Sequence, residues 1–237
     1  MAQTPIWKSI QDTLSADIAN GHYAQGDKLP TEAELSKRFG VNRHTVRRAL
    51  SEMAANGTVH SRRGAGVFVA SRPTDYPIGR RVRFHQNLSD QGRLPAKQIL
   101  RLETRLPDAR EAEALCLNDG DQVHVYEGIS LADDSPVALF KSVFPAVRLP
   151  QMLVDLAETK SVTQALARGG VHDYTRAETR LTAKLATATQ ALNLRIQDGA
   201  PILRTQSINI DTDGVPVEFG LTWFAGDRIS LVITPDG

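Results

Sequence analysis

Ile6, Ile10, Leu14 and Ile18 recur at every fourth position, with Trp7 and Ala16 nearby, and predict an amphipathic helix over residues 5–20. Pro5 suits a first helical turn, and Asn20-Gly21 supplies a stop. After a turn at Gly26-Asp27, Thr31-Glu32-Ala33-Glu34 has the form of a capping box, in which the Thr31 hydroxyl accepts from the amide of residue 34 while Glu34 reaches back. It predicts a short helix through Leu35 and Phe39 that Gly40 breaks. Asn42 then caps a third helix with Val46, Leu50, Met53 and Ala54 as its buried stripe and Gly57 as its stop. Residues 58–61 and 67–70 flank Arg62-Arg63-Gly64-Ala65-Gly66, which reads as a hairpin with a basic, glycine-rich tip.

Residues 71–77 are polar with two prolines, and the patterns on either side of them differ. The reading is therefore a first domain over 1–70, a linker over 71–81 and a second domain over 82–237. In the second, a short helix over 84–91 ends at Gly92, and residues 98–106 alternate as a strand. A helix over 109–117 precedes strands over 123–131 and 137–144, paired around 132–135. Helices follow over 149–157 and 161–168, then a strand over 175–183 and a helix near 188–194. Residues 202–210, the turn at Asp213-Gly214 and residues 215–224 form the plainest hairpin, and 229–233 close the chain. Strands dominate with helices inserted between hairpins, which predicts an α+β domain on a mainly antiparallel sheet.

Composition narrows the classes. The 237 residues carry 28 Lys+Arg against 27 Asp+Glu, with 41% hydrophobic and 5% aromatic residues, so the chain is globular rather than disordered or fibrous. No apolar run approaches the roughly 18 residues of a spanning helix, and no secretory signal precedes Trp7, which predicts a cytoplasmic protein with no membrane partner. Cys116 stands alone, excluding an intramolecular disulfide and a thiolate metal cage. The six histidines show no metal-ligand spacing, and neither a nucleophile elbow nor a phosphate-cradling loop occurs. An enzyme is not expected, nor is a metal or cofactor.

The even charge balance conceals a basic N-terminal third. Two short helices joined by a glycine turn, the second opening with Asn42, Arg43, His44, Thr45, Arg47 and Arg48, describe a helix-turn-helix followed by a wing. A major groove admits one helix and is read by donors near its N-terminus, where arginine grips guanine O6 and N7 with two parallel bonds. Asn42, His44 and Thr45 suit phosphates or bases, and a glycine tip lets the backbone and Arg63 approach a phosphate or a minor groove. The partner is double-stranded DNA, read by a homodimer if the operator is two-fold.

These segments resemble the winged helix of GntR-family bacterial repressors over nearly all of residues 5–70; the residues carrying the likeness are 29–35, 39–50 and 64–69. The resemblance implies DNA contacts from Asn42, Arg43, His44, Thr45 and Arg47, with Arg63 and Gly64 at the wing tip; Thr31, Glu32 and Arg48 complete the candidate set. Asp75-Tyr76-Pro77-Ile78, residues 83–88 with Gln91-Gly92, residues 179–183 and Pro216-Val217-Glu218 resemble the HutC branch of that family, and within it the regulators of phosphonate metabolism. That resemblance implies a ligand-binding domain with a chorismate-lyase-like fold, whose chemistry does not transfer with the fold; a lyase-like enzyme tethered to DNA is the alternative from another class. It also implies a small anionic effector, a phosphonate or phosphate ester; a sugar phosphate or a histidine-degradation intermediate is the alternative.

Such an anion needs convergent donors. Ser161 and Thr163 open a helix after Lys160 and form either an anion cradle or an ordinary N-cap. Arg83 and Asn87, with Phe84 between them, lie one helical turn apart beside the linker; alternatively Arg83 packs on Tyr76 or pairs with Asp90. Arg176, Glu178 and Arg180 share one strand face at period two, with Tyr174 just before them, and the resemblance favours Arg180 as ligand-facing. Glu218 and Thr222 face one side of a strand, where they suit an amine or hydroxyl, and Arg228 is either a phosphate clamp or the partner of Asp227. Phosphosugar-binding relatives carry arginines on the strand matching 123–131, but this chain has none there, so the anion site is expected to use Lys141, Arg180 or Arg228 instead.

Overall fold

The computed structural model describes residues 5–62, 64–70, 73–80, 88–89, 92 and 94–233. The chain divides into two compact units between Arg72 and Pro73.

In the first unit α1 (Ile6–Ala19) buries Ile10 and Leu14. Thr31 caps α2 (Glu32–Phe39) through the reciprocal bonds of the capping box, and Gly40 ends it in the left-handed conformation at φ +64°, which costs glycine little. Asn42 caps α3 (Arg43–Ala55), which turns Val46, Ala49, Leu50 and Met53 inward against α1 and α2. β1 (Val59–Arg62) and β2 (Gly66–Val69) form an antiparallel hairpin, and Val59 and Val69 join the same core. Full burial of side chains such as Leu14, Leu35 and Met53 contributes about 1.5–3 kcal/mol each.

The second unit begins with β3 (Thr74–Pro77), four residues that composition assigned to the linker. β3 pairs in parallel with β10 (Ile229–Val232) at the far end of the chain and buries Thr74 and Tyr76 in alternation. A strand this short whose partner lies some 150 residues away leaves no local hairpin signal, so its prolines and polar residues dominate the pattern.

The main sheet has β4 (Pro95–Arg105), β5 (Val123–Ala132), β6 (Ser135–Pro145), β7 (Tyr174–Leu185), β8 (Pro201–Asp211) and β9 (Pro216–Ala225). Its order is β4-β5-β6-β9-β8-β7, with every neighbouring pair antiparallel. The β5–β6 turn places both Asp133 and Asp134 at positive φ, the geometry that matches the twist of a tight hairpin. α4 (Ala109–Leu115) and α7 (Ala188–Leu194) cover one face, packing near Val123, Val143, Phe219, Ile129 and Ile202. α5 (Met152–Thr159) and α6 (Val162–Arg168) cover the other, over Tyr126, Phe140 and Phe144. Tyr76, Ala138 and Phe224 cluster on that second face as well. Of the helix expected over 84–91, only Leu88 and Ser89 fall within the described residues, and both are helical.

Candidate functional site

The first unit presents its donors at the start of α3. The Asn42 side-chain oxygen accepts from the Thr45 amide and from the Thr45 hydroxyl, both at 2.9 Å, so these two residues set the helix terminus. Arg43, His44 and Arg47 are exposed beside it, with Arg43 and Arg47 one turn apart. Arg47 reaches back to Glu32 at the start of α2: Nε donates to Oε1 at 2.9 Å and the guanidinium donates again to Oε2 at 2.7 Å. This fork holds the Glu32 carboxyl below its ordinary pKa, and Arg43 and His44 add to the effect. Five N–H groups are available on a guanidinium, and the fork uses two of them.

The other DNA candidates divide. The Thr31 hydroxyl serves the capping box, accepting from the Glu34 amide at 3.3 Å and donating to its carboxylate at 2.8 Å. Arg48 does not join the donor cluster; its guanidinium lies over the Trp7 ring of α1 at 4.8 Å, because 100° per residue carries it away from Arg47. Gly64 sits at the hairpin tip at φ +75° with open space where a side chain would be. Arg63 lies outside the described residues.

In the second unit a cavity of about 270 Å³ opens between the sheet, the start of α6 and β3. Ser161, Thr163, Tyr174, Arg176, Glu218 and Thr222 line it, as a ligand role for them requires. Ser161 caps α6, accepting from the Gln164 amide at 3.4 Å, and the Thr163 and Tyr174 hydroxyls are bonded at 2.8 Å. Arg176 donates from Nε to Asn209 Oδ1 at 2.8 Å and from its terminal nitrogen to the Thr179 hydroxyl at 3.3 Å. The Asn209 amide in turn donates to Glu218 at 2.6 Å, and Ser142 donates to the other carboxylate oxygen at 2.6 Å.

Several residues of this wall had no place among the sequence candidates, among them the polar Lys97, Ser130, Ser142, Gln164 and Asn209. Half-buried Lys97 holds its ammonium 4.9 Å from the Phe140 ring centroid and 5.6 Å from that of Tyr126. Burial pulls its pKa down to about 8, against an opposing pull from Glu218. The available signal was its spacing two residues before Ile99, hidden because the alternation was read as a strand only from residue 98 onward, whereas the strand begins at Pro95. Asn209 and Ser142 are polar residues at inward positions of central strands, and alternation alone reads such positions as solvated.

Three expected anion ligands stand elsewhere. Lys141 lies between cavity-lining Phe140 and Ser142, so the pleat sends it to the opposite face, where it pairs with Glu111 at 2.7 Å. A β-bulge at Ala177 shifts the register between Arg176, opposite Asn209, and Glu178, opposite Ile208. The extra residue breaks period two, so Glu178 and Arg180 leave the face of Arg176 and pair with each other in solvent. Arg228 is buried and committed to main-chain carbonyls, donating to Leu194 at 2.8 Å, to Arg195 at 3.0 Å and to Pro136, which anchors the end of α7 to the start of β10. Arg83, Phe84 and Asn87 lie outside the described residues.

Among the described residues no helix is long and apolar enough to cross a membrane, and no cluster of three metal-ligating side chains occurs. Residues 7–69 match the family model for bacterial regulatory proteins of the gntR family, and residues 90–230 match that for the UTRA domain. The chain is 37% identical over 230 residues to the HTH-type transcriptional regulator RB1450 of Rhizobium meliloti, covering 96% of this chain and 94% of that one. It is 32% identical over 222 residues to the probable transcriptional regulator PhnF of Escherichia coli, covering 90% and 88%. The crystal structure of PhnF from Mycobacterium smegmatis superposes with a TM-score of 0.65 at 26% identity, over 95% of this chain and 98% of that one. Proteins so built are transcription regulators rather than enzymes, binding operator DNA with the first unit and a small-molecule effector with the second. The chain belongs to the GntR family of bacterial transcription regulators, in the form that joins a helix-turn-helix unit to a UTRA domain.

Proposed function

We propose that the chain is a cytoplasmic, homodimeric repressor of genes for phosphonate uptake or breakdown, released from its operator by a small phosphorus oxyanion. The observation that carries the effector half is the meeting of Lys97, Arg176 and the first turn of α6 around one small cavity. Arginine and lysine beside the Ser161, Thr163 and Tyr174 hydroxyls suit a tetrahedral anion, which takes charge-assisted bonds from the cations and further bonds from the hydroxyls. The likeness to PhnF supports the phosphonate assignment. In the DNA half, Arg43, His44 and Arg47 enter the major groove while the 62–66 tip follows the backbone, and two copies read half-sites about 34 Å apart or a multiple of that.

The test is selection of bound fragments from genomic DNA, then titration of the enriched duplex with phosphonates, phosphate esters and sugar phosphates. The reading expects a salt-sensitive preference for one fragment and weaker binding once a phosphonate is added. Release by sugar phosphates alone transfers the assignment to the sugar-phosphate alternative. Indifference to all three classes overturns the anion reading.

A further inference from the structure

The cavity is not uniformly cationic. Glu218 is only 9% exposed, yet it lines the cavity, and its two hydrogen-bond partners are both neutral: the Ser142 hydroxyl and the Asn209 amide. An ionised carboxylate accepts at about four lone-pair positions, so two remain. Among the described residues no cationic nitrogen forms an ion pair with Glu218; Arg176 is kept one amide away because Asn209 bridges them. The bridge also orients Asn209, since only one placement of its amide accepts from the arginine and donates to the carboxylate. Lys97 attracts Glu218 without a direct ion pair, so a carboxylate held out of water with only neutral hydrogen-bond partners stays costly, and a ligand that supplies a cation in contact with it recovers part of that cost.

Charge counting leads to the same kind of ligand. Among the described residues, Lys97 and Arg176 contribute two positive charges to the wall and Glu218 one negative charge. A dianionic phosphorus group bearing one ammonium complements this sum, and the same group without nitrogen leaves Glu218 facing a second anion. Size adds a further limit. At about 270 Å³ the cavity lies at the small end of the roughly 300–1,000 Å³ typical of drug-sized ligands, which suits a short carbon skeleton.

The geometry points to an effector that carries both a phosphorus oxyanion and a protonated amine on a short carbon chain, with the ammonium seated on Glu218. This deepens the proposed function and rests on its anionic-effector reading. Calorimetric titration of the full chain near pH 7.5 with 2-aminoethylphosphonate, 2-hydroxyethylphosphonate and ethylphosphonate tests it, because the three differ at one substituent. The aminophosphonate binds at least tenfold tighter than either of the others. Glu218→Gln, with folding checked by circular dichroism, brings the three affinities to within about twofold of one another. Equal binding of all three by the unmodified chain, or preference for the hydroxyl compound, overturns the ammonium seat and leaves the anion reading standing. Binding of none overturns both. The comparison on the unmodified chain decides the matter even where the variant fails to fold.

Discussion

Tyr76 and Phe224 meet ring to ring, their centroids 5.2 Å apart and their planes tilted by 48°. Phe224 belongs to the main sheet, whereas Tyr76 belongs to β3, the first strand after the boundary between the two units, and both line the cavity of the second unit. A ligand that presses on this pair therefore acts on the segment leading back toward the DNA-binding unit. Tyr76→Ala removes a buried ring and is expected to destabilise the second unit by about 3–5 kcal/mol in urea denaturation. Tyr76→Phe keeps the ring and costs about 1 kcal/mol or less. The effector-induced change in operator affinity, followed by fluorescence anisotropy, is retained by the phenylalanine variant and lost with alanine.

The Arg47–Glu32 fork makes a separate prediction about sequence choice. An arginine held on two atoms presents its remaining donors in a narrow range of directions, which suits reading one guanine. Arg47→Ala is expected to cost about 1–3 kcal/mol on the operator and to relax selection at one base position. Glu32→Gln leaves the cation but frees it, and removes a negative charge that opposes phosphates. Affinity for random duplex then rises at low salt while the ratio of operator to random affinity falls. Competition binding across a salt series separates the two effects. An unchanged ratio would show that the carboxylate does not orient Arg47.

Much of this architecture was legible because its signals are local. The capping box at Thr31, the Asn42 cap and the Asp213-Gly214 turn each declare themselves within four residues, and the helices and hairpin they predict are present. The cavity was harder to read, since its membership depends on which face each strand residue occupies. Ser161, Thr163 and Glu218 were found from capping and motif position, but Lys141 and Lys97 differ in placement only through strand register. The bulge at Ala177 has no signature in alternation, and it separates Arg176 from Arg180. β3 was missed for a different reason: its partner is β10, at the other end of the chain.

Gly128 bears on the cavity through packing. A Cβ there would lie 2.5 Å from the Gln98 carbonyl oxygen and 2.7 Å from Phe140 Cζ, too close on both sides. The carbonyl belongs to the β4 backbone, so that strand must shift as well as Phe140, whose ring lies beneath the Lys97 ammonium. Gly128→Ala is expected to cost about 1–3 kcal/mol through overpacking and to weaken effector binding measured by calorimetry. Equal losses of stability with unaltered effector affinity would mean that Phe140 does not shape the binding site.

On the opposite face, Glu111 gives the second unit an acid limit. Its side chain is buried between Arg105, at 2.6 Å, and Lys141, at 2.7 Å, and it also accepts from the Asp108 amide at 2.9 Å. Burial alone raises a carboxyl pKa, but the two cations and the amide more than offset it and hold the group at about 2 against an ordinary 4.5. A pKa lower in the folded state means that the unfolded chain takes up the proton first. The stabilisation is therefore complete above about pH 4.5, declines as the pH falls and is gone below about 2. A difference of that size corresponds to roughly 3 kcal/mol. Glu111→Gln is expected to lower stability by about that amount at pH 7, or somewhat more because two cations lose their partner, and to flatten the dependence between pH 5 and 2. Urea denaturation at a series of pH values measures both. A variant whose stability falls with acid as steeply as that of the unmodified chain would place the titrating carboxyl elsewhere.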